Sequence, residues 1–358
     1  MKHFRGSIIL SIVCLALAFY WGGQHAITYM GGESWTSPIV LKAGLQALFI
    51  TAILSVMEVS LSFDNAVVNA AILKTWNAFW KKLFLTVGMV IAVFGMRLVF
   101  PILIVAVATG KGMIEVGKMA LNQPTEYAAR LTEHHQEVAV FGGVFLLLVF
   151  LNFLIDEGKE VHWFRWFEER LAILGKIDVL SVFIAILAVF GTLSLVDDPS
   201  RRYAILASGI GGIATYLGVD ILGKFFEHEE SDPAVAKMIQ GGSIGSFLYL
   251  EVLDASFSFD GVIGAFAMTN DVIVIMLGLG IGAMFVRSLT IYLLEKGTLE
   301  QYIFLEHGAH YAIGALALIM LASMKWHIPE VVTGLIGVAF IIISIISSIR
   351  YRKTGDLS

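Results

Sequence analysis

The chain has 358 residues, 58% of them hydrophobic and only 15% charged, and its mean hydropathy is +0.82. That is far too apolar for an ordinary soluble domain and indicates a polytopic membrane protein. A net charge of −5, with no Lys/Arg-rich stretch carrying interleaved aromatics, points away from nucleic acid, and the single cysteine, Cys14, excludes an intrachain disulfide and a thiolate metal cluster within one chain.

About 20 apolar residues suffice to cross the hydrocarbon. Ten windows read as spans, at 7–22, 38–62, 83–108, 138–155, 177–196, 203–223, 240–261, 271–294, 309–323 and 330–349. They predict an all-α polytopic membrane helix bundle of about ten transmembrane helices. The first lies behind Lys2 and Arg5, and Ala16 and Ala18 have the spacing of a secretory cleavage site. The Tyr20-Trp21 and Gly22-Gly23 pairs read better as the interfacial end of an uncleaved helix, in which Cys14 is a packing residue.

The second span ends on Glu58-Val59-Ser60-Leu61-Ser62-Phe63-Asp64-Asn65, and the seventh on Asp254-Ala255-Ser256-Phe257-Ser258-Phe259-Asp260-Gly261. This is one motif written twice. An acid at the centre of a transmembrane helix costs about 2.5–3.5 kcal/mol on insertion scales, so four acids in duplicated segments require a positive partner or a function. The following helices match as well: Gly88 precedes Arg97 by nine residues, and Gly278 precedes Arg287 by nine. Pro101, one turn after Arg97, is the one proline internal to a span, and a kink there frees a carbonyl near the guanidinium.

Three hydrophilic stretches separate the spans. Residues 110–137 contain Glu133-His134-His135-Gln136-Glu137, which reads as a solvated pair of histidines more readily than as a metal chelate. In 156–176, Trp163, Phe164, Trp166 and Phe167 interleave with Arg165 and Arg170, the pattern of an amphipathic helix in the headgroup zone. Residues 224–238 carry Glu227-His228-Glu229-Glu230-Ser231-Asp232. Asp220 falls near the inner interface. Glu306-His307 and His310 stand at a helix start, as a metal-sensing group or as an interfacial cap with solvated histidines.

Lys/Arg bias sets orientation. With the N-terminus inside, the inner loops hold well over half of the Lys and Arg, and both termini are cytoplasmic. The second span then runs inward and the seventh outward, so the repeats are inverted, the architecture of many secondary transporters. The expected organisation is an N-terminal helix and outer loop (1–37), repeat 1 (38–155), an amphipathic segment with two inserted spans (156–238), repeat 2 (239–323) and a C-terminal span and tail (324–358), each repeat having three spans.

On an unbroken helix Glu58 and Asp64 differ by about 240° in azimuth and could not face one ion. Both motifs are therefore expected to break at Phe-Asp-Asn and Phe-Asp-Gly, where Asn and Gly tolerate left-handed backbone. Two such breaks meeting at the midplane bring Glu58, Asp64, Asp254 and Asp260 together, with Asn65, Asn69, Ser60 and Ser256 as neutral oxygens. Oxygen-only ligands suit Mn²⁺, Mg²⁺ or Ca²⁺. Ser62 and Ser258 divide evenly between packing and ligation. Glu251, one turn before Asp254, is an accessory group that carries protons rather than metal, and Arg97 and Arg287 balance the acids when the site is empty, or gate it.

The duplicated acid-x-Ser-x-Ser-Phe-Asp, the Gly-to-Arg spacing and Leu305-Glu306-His307-Gly308-Ala309-His310-Tyr311 before span nine resemble the TerC family, in its longer branch, over roughly residues 40–350. The resemblance implies an integral membrane protein of the lysine-exporter-like superfamily, in the bacterial inner (cytoplasmic) membrane, associated with manganese efflux and tellurite resistance. By match, Glu58, Asp64, Asn65, Asp254 and Asp260 are its ion site.

The expected function is export of a divalent metal cation, Mn²⁺ foremost, by alternating access. No Gly-x-x-x-x-Gly-Lys-Ser/Thr run occurs, so a gradient or the membrane potential is expected to drive it. One charge crossing 100 mV is worth about 2.3 kcal/mol and opposes divalent export twice over, so proton or sodium exchange is expected. The alternatives are an exporter of an organic cation such as a basic amino acid, with Arg97 or Arg287 for its carboxylate, and a membrane scaffold for soluble stress-protein partners docking on 156–176 and 224–238. No nucleophile motif accompanies the acids, so an enzyme is not expected, and no cofactor is expected to be bound permanently.

Overall fold

The computed structural model describes residues 3–29, 34–156, 159, 161–172, 179–228, 242–297, 301–326 and 328–355. Among these the regular structure is entirely helical: α1 (Arg5–Tyr29), α2 (Pro38–Leu61), α3 (Phe63–Lys74), α4 (Ala78–Leu83), α5 (Phe100–Thr109), α6 (Met113–Asn122), α7 (Pro124–Glu133), α8 (His135–Ile155), α9 (Arg165–Ala172), α10 (Leu180–Leu193), α11 (Arg202–His228), α12 (Ile244–Met268), α13 (Val272–Glu295), α14 (Leu305–Ala322) and α15 (Glu330–Gly355). The hydrophilic run 229–241 lies outside the described residues, as do 157–158, 160 and 173–178 of the inner stretch and the side chains of 223–228.

Eight helices among the described residues are long and apolar enough to cross a membrane: Arg5–Thr28, Pro38–Leu61, Ala78–Val107, His135–Ile155, Pro199–Leu222, Val272–Glu295, Leu305–Ala322 and Val332–Arg352. The chain is a multi-pass helical membrane bundle. Of the ten windows, two do not meet that measure. α10 has 14 residues, and α12 carries Glu251, Asp254 and Asp260.

Helix boundaries follow the local sequence. Pro38 and Pro124 stand at the first position of α2 and α7, where a missing N–H costs nothing. Asn77 caps α4 by accepting from Trp80 N–H at 3.0 Å. Gly110 ends α5 with φ +67, a left-handed conformation that favours glycine. Between α4 and α5 the backbone winds as π-helix over Phe84–Gly88 and Ile91–Val99, immediately before Pro101. The expected disturbance at Pro101 is thus a widened turn upstream of it, where Phe100 N–H bonds Gly95 O five residues back.

The helices fall into two compact units. One comprises Met1–Ser62, Val87–His134 and Ser258–Leu289. In it α1 packs on α2 through glycines: a Cβ on Gly22 would lie 2.6 Å from Ala47 Cβ, and one on Gly44 2.9 Å from Phe19 O. α13 docks on α2 in the same way, Gly278 lying against Leu54 and Gly282 against Glu58. Polar contacts join α1 to α13, with Ser7 Oγ donating to Met284 O at 2.8 Å.

The other unit comprises Phe63–Thr86, His135–Phe257 and Thr290–Ser358. Its centre is α8, where Val140, Phe145, Leu146 and Leu148 are fully buried. α8 receives α14 at Gly142 and Gly143, under Met320 and Leu321, and α11 at Gly212, whose added Cβ would lie 2.5 Å from Phe141 O. Close backbone approach through small residues is how helices associate where lipid removes the hydrophobic drive.

Candidate cation site

The first motif breaks one residue earlier than expected. α2 ends at Leu61, Ser62 sits at φ −104, ψ 18, and α3 begins at Phe63. Ser62 N–H donates to Glu58 O at 2.9 Å and its hydroxyl to Glu58 Oε1 at 3.2 Å, so Ser62 closes the helix end and steadies the acid. The second motif does not break. α12 runs unbroken from Ile244 to Met268, through Asp254, Asp260 and Gly261, which corrects the expectation of matching breaks. The physical reason is that Gly261 provides room rather than backbone freedom: a Cβ on it would lie 2.9 Å from Glu58 Oε2.

In the first unit, Glu58 is 1% exposed and its carboxylate accepts from the Arg97 guanidinium. Arg97 also donates to Ala92 O, a carbonyl five residues back in the π-helical turn. That pairing answers the cost of an intramembrane acid with a neighbouring cation. Arg287 Nε and Ser258 Oγ, in the same unit, are buried without a hydrogen-bond partner among the described residues. Ser60 departs from the ligand role expected of it. It is exposed, and its hydroxyl bonds the Val56 carbonyl one turn back at 2.9 Å, on a helix face that also exposes Val56. The Asp260 side chain lies outside what is described.

In the second unit, α3 and α12 bring a different set together. Asn65 Nδ2 donates to Asp254 Oδ1, a charge-assisted bond between the two helices. Asn65 N–H donates to Asp64 Oδ1 at 2.9 Å. Asn69 stands one turn after Asn65 on the same face, and Glu251 one turn before Asp254. Asp64, Asn65, Asn69 and Glu251 are 5%, 3%, 4% and 7% exposed, so all four are withdrawn from lipid and water alike. Asn65 Oδ1, Asn69 Oδ1 and Glu251 Oε1 are buried with no hydrogen-bond partner among the described residues. Ser256 is buried with its hydroxyl on Val252 O at 2.9 Å, a bond within its own helix. Among the described residues no three His, Cys, Asp or Glu group as a set that could hold a metal ion.

A third polar cluster, not read from the sequence, lies in the same unit. Glu168 on α9 is fully buried and accepts from Lys159 Nζ at 2.8 Å, Tyr311 Oη at 3.0 Å and Phe164 N–H at 3.1 Å. Burial alone would raise its carboxyl, but Lys159, Phe164 N–H and Tyr311 together hold it below the ordinary value. α9 exposes Trp166 and Phe167, as its amphipathic pattern predicts, and Glu168 ties its other face to α14. His307 Nε2–H donates to Val161 O at 2.8 Å, and His310 Nδ1–H donates to Glu306 O at 2.9 Å with its ring stacked on Phe153. These two histidines act as packed helix-start residues. His134 and His135 likewise join no metal-binding set among the described residues.

The family described as Protein of unknown function (DUF475) matches residues 63–354. The matched region opens on Phe63, at the first residue of α3, and takes in the Asp64, Asn65, Asn69, Glu251 and Asp254 cluster. No curated protein and no solved structure matches the chain.

Proposed function

The chain belongs to the DUF475 family, and we propose that it is a secondary transporter exporting a divalent cation, with Mn²⁺ the best-suited cargo. The observation that carries this reading is the pair of buried amide oxygens, Asn65 Oδ1 and Asn69 Oδ1, that have no hydrogen-bond partner among the described residues, with Asn65 itself bonded to the Asp254 carboxylate. An unsatisfied buried acceptor costs on the order of 1–3 kcal/mol, and a bound cation is the ligand that satisfies several at once. Carboxylate and amide oxygens without thiolate or imidazole favour hard ions, Mn²⁺, Mg²⁺ and Ca²⁺, over Zn²⁺ or Cu⁺.

The chain's own groups have separable tasks. Asp64 and Asp254 supply negative charge, Asn65 holds Asp254 in position through its amide nitrogen while offering its oxygen, and Asn69 adds a neutral oxygen one turn away. Glu251 is suited to carry the counter-moving proton. Glu58 is paired with Arg97, so that acid has its partner within the chain. The duplicated motif and the paired arginines support kinship with TerC-type exporters, and the Lys/Arg bias supports a bacterial cytoplasmic membrane with both termini inside.

Cellular Mn content and metal sensitivity test the reading. Asp64→Ala, Asp254→Ala and Asp260→Ala should each leave cells with raised Mn and less protection than the parent. Variants that protect as well as the parent would remove transport through these acids. Unchanged Mn with lost lysine or arginine efflux would favour an organic cation, for whose carboxylate Arg287, with its unpartnered Nε, is the better candidate, since Arg97 is engaged by Glu58.

A further inference from the structure

α15 enters the second unit by a buried face on which Gly337, Ile341, Ser344 and Ser348 recur at helical spacing. Two contacts fix its distance from α14. A Cβ on Gly308 would collide with the Ser344 side chain, and Ser348 Oγ accepts from Phe304 N–H at 3.0 Å. At Gly337 the neighbour is different in kind: a Cβ there would lie 3.2 Å from Asp64 Oδ2. Asp64 Oδ1 meanwhile accepts from Asn65 N–H at 2.9 Å. One carboxylate oxygen is thus turned to its own helix and the other toward bare backbone of α15. On α3 beside it, Asn65 Oδ1 and Asn69 Oδ1 are buried and unpartnered.

We infer that α15, a span outside both repeats, forms a wall of the cation site, and that Gly337 sets how large a cation Asp64 can hold; this rests on the transport reading above. The Phe304–Ser348 hydrogen bond ties α15 to the start of α14, so a methyl group at 337 presses on Asp64. Asp64 must give way. Ca²⁺ takes six to eight oxygens at about 2.3–2.6 Å, whereas a smaller ion such as Mg²⁺ takes six at about 2.0–2.1 Å, so lost room penalises the larger ion more.

The full chain in proteoliposomes, assayed for Mn²⁺ entry with Ca²⁺ as competitor, tests this. Gly337→Ala should raise KM for Mn²⁺ about tenfold or more, in the range of substitutions that bear on a metal ligand from outside. Maximal rate should hold, and Ca²⁺ should become a weaker competitor still. Gly212→Ala, which crowds Phe141 O where α11 meets α8 and does not touch α15, should lower the melting temperature and leave the Mn²⁺/Ca²⁺ ratio alone. A parent chain that moves no Mn²⁺ overturns the transport reading and this inference with it. An active parent with Gly337→Ala unchanged, or with Gly212→Ala shifting the ion ratio equally, overturns this inference alone. In the unmodified chain, paramagnetic Mn²⁺ should broaden the Gly337 amide resonance while Mg²⁺ only shifts it; a resonance that Mn²⁺ leaves untouched also overturns it.

Discussion

The Asn65 side-chain amide donates to the Asp254 carboxylate, joining α3 to α12 across 189 residues of sequence. Its nitrogen is engaged and its oxygen is not. A buried amide held in that way suits the proposed coordination: the bond to Asp254 fixes the group, and its oxygen meets no donor among the described residues.

Asn65→Asp should therefore behave differently with and without cation. Three neighbouring carboxylates repel in the empty protein, so the variant should melt below the parent in chelator. Added Mn²⁺ should raise its melting temperature by more than it raises the parent's, since binding to the folded state alone stabilises by mass action. Equal shifts in both proteins would show that no cation sits at residue 65.

Glu58 and Arg97 form a buried pair, and removing one partner strands the other. Glu58→Gln and Arg97→Gln should each destabilise the detergent-solubilised chain by roughly 3–5 kcal/mol, and the double variant by less than their sum. Thermal or denaturant unfolding of the four proteins gives the cycle. Additive losses would mean that the two groups do not interact.

How much of this was legible divides residue by residue. The acids, Asn65, Asn69 and the arginines stand out because charge and amides are costly in apolar segments. The partner of each was not legible, since which acid faces an arginine depends on packing: Gly282 and Gly261 crowd Glu58, and α13 is set by that crowding. The expected break at Asp260-Gly261 failed for a related reason. A glycine after an acid can mean backbone freedom or close approach, and the two meanings share one letter. The π-helix before Pro101 was unreadable in detail because it depends on backbone hydrogen bonds that every residue can make, and the Glu168 anchor because its partners Lys159 and Tyr311 meet it only through packing.

The Glu168 anchor predicts a pH dependence with a definite sign. Its carboxyl is held below the ordinary value in the folded chain, so its contribution is fully present above the unfolded value and is lost as pH falls through the folded one. The melting temperature of the parent should decline over that acid window. Glu168→Gln, which leaves Lys159 without its carboxylate, should melt lower at neutral pH and show a flatter decline; an unaltered slope would show that Glu168 is not the group involved.

The most direct test is equilibrium Mn²⁺ binding to the purified full-length chain, read by the loss of the free-ion paramagnetic resonance signal, for the parent and for Asp64→Asn and Asp254→Asn. The parent should take up Mn²⁺ saturably, and each single variant should bind about 10–100-fold more weakly. A parent that takes up no Mn²⁺, or variants that bind as the parent does, would contradict the assignment of these residues to a cation.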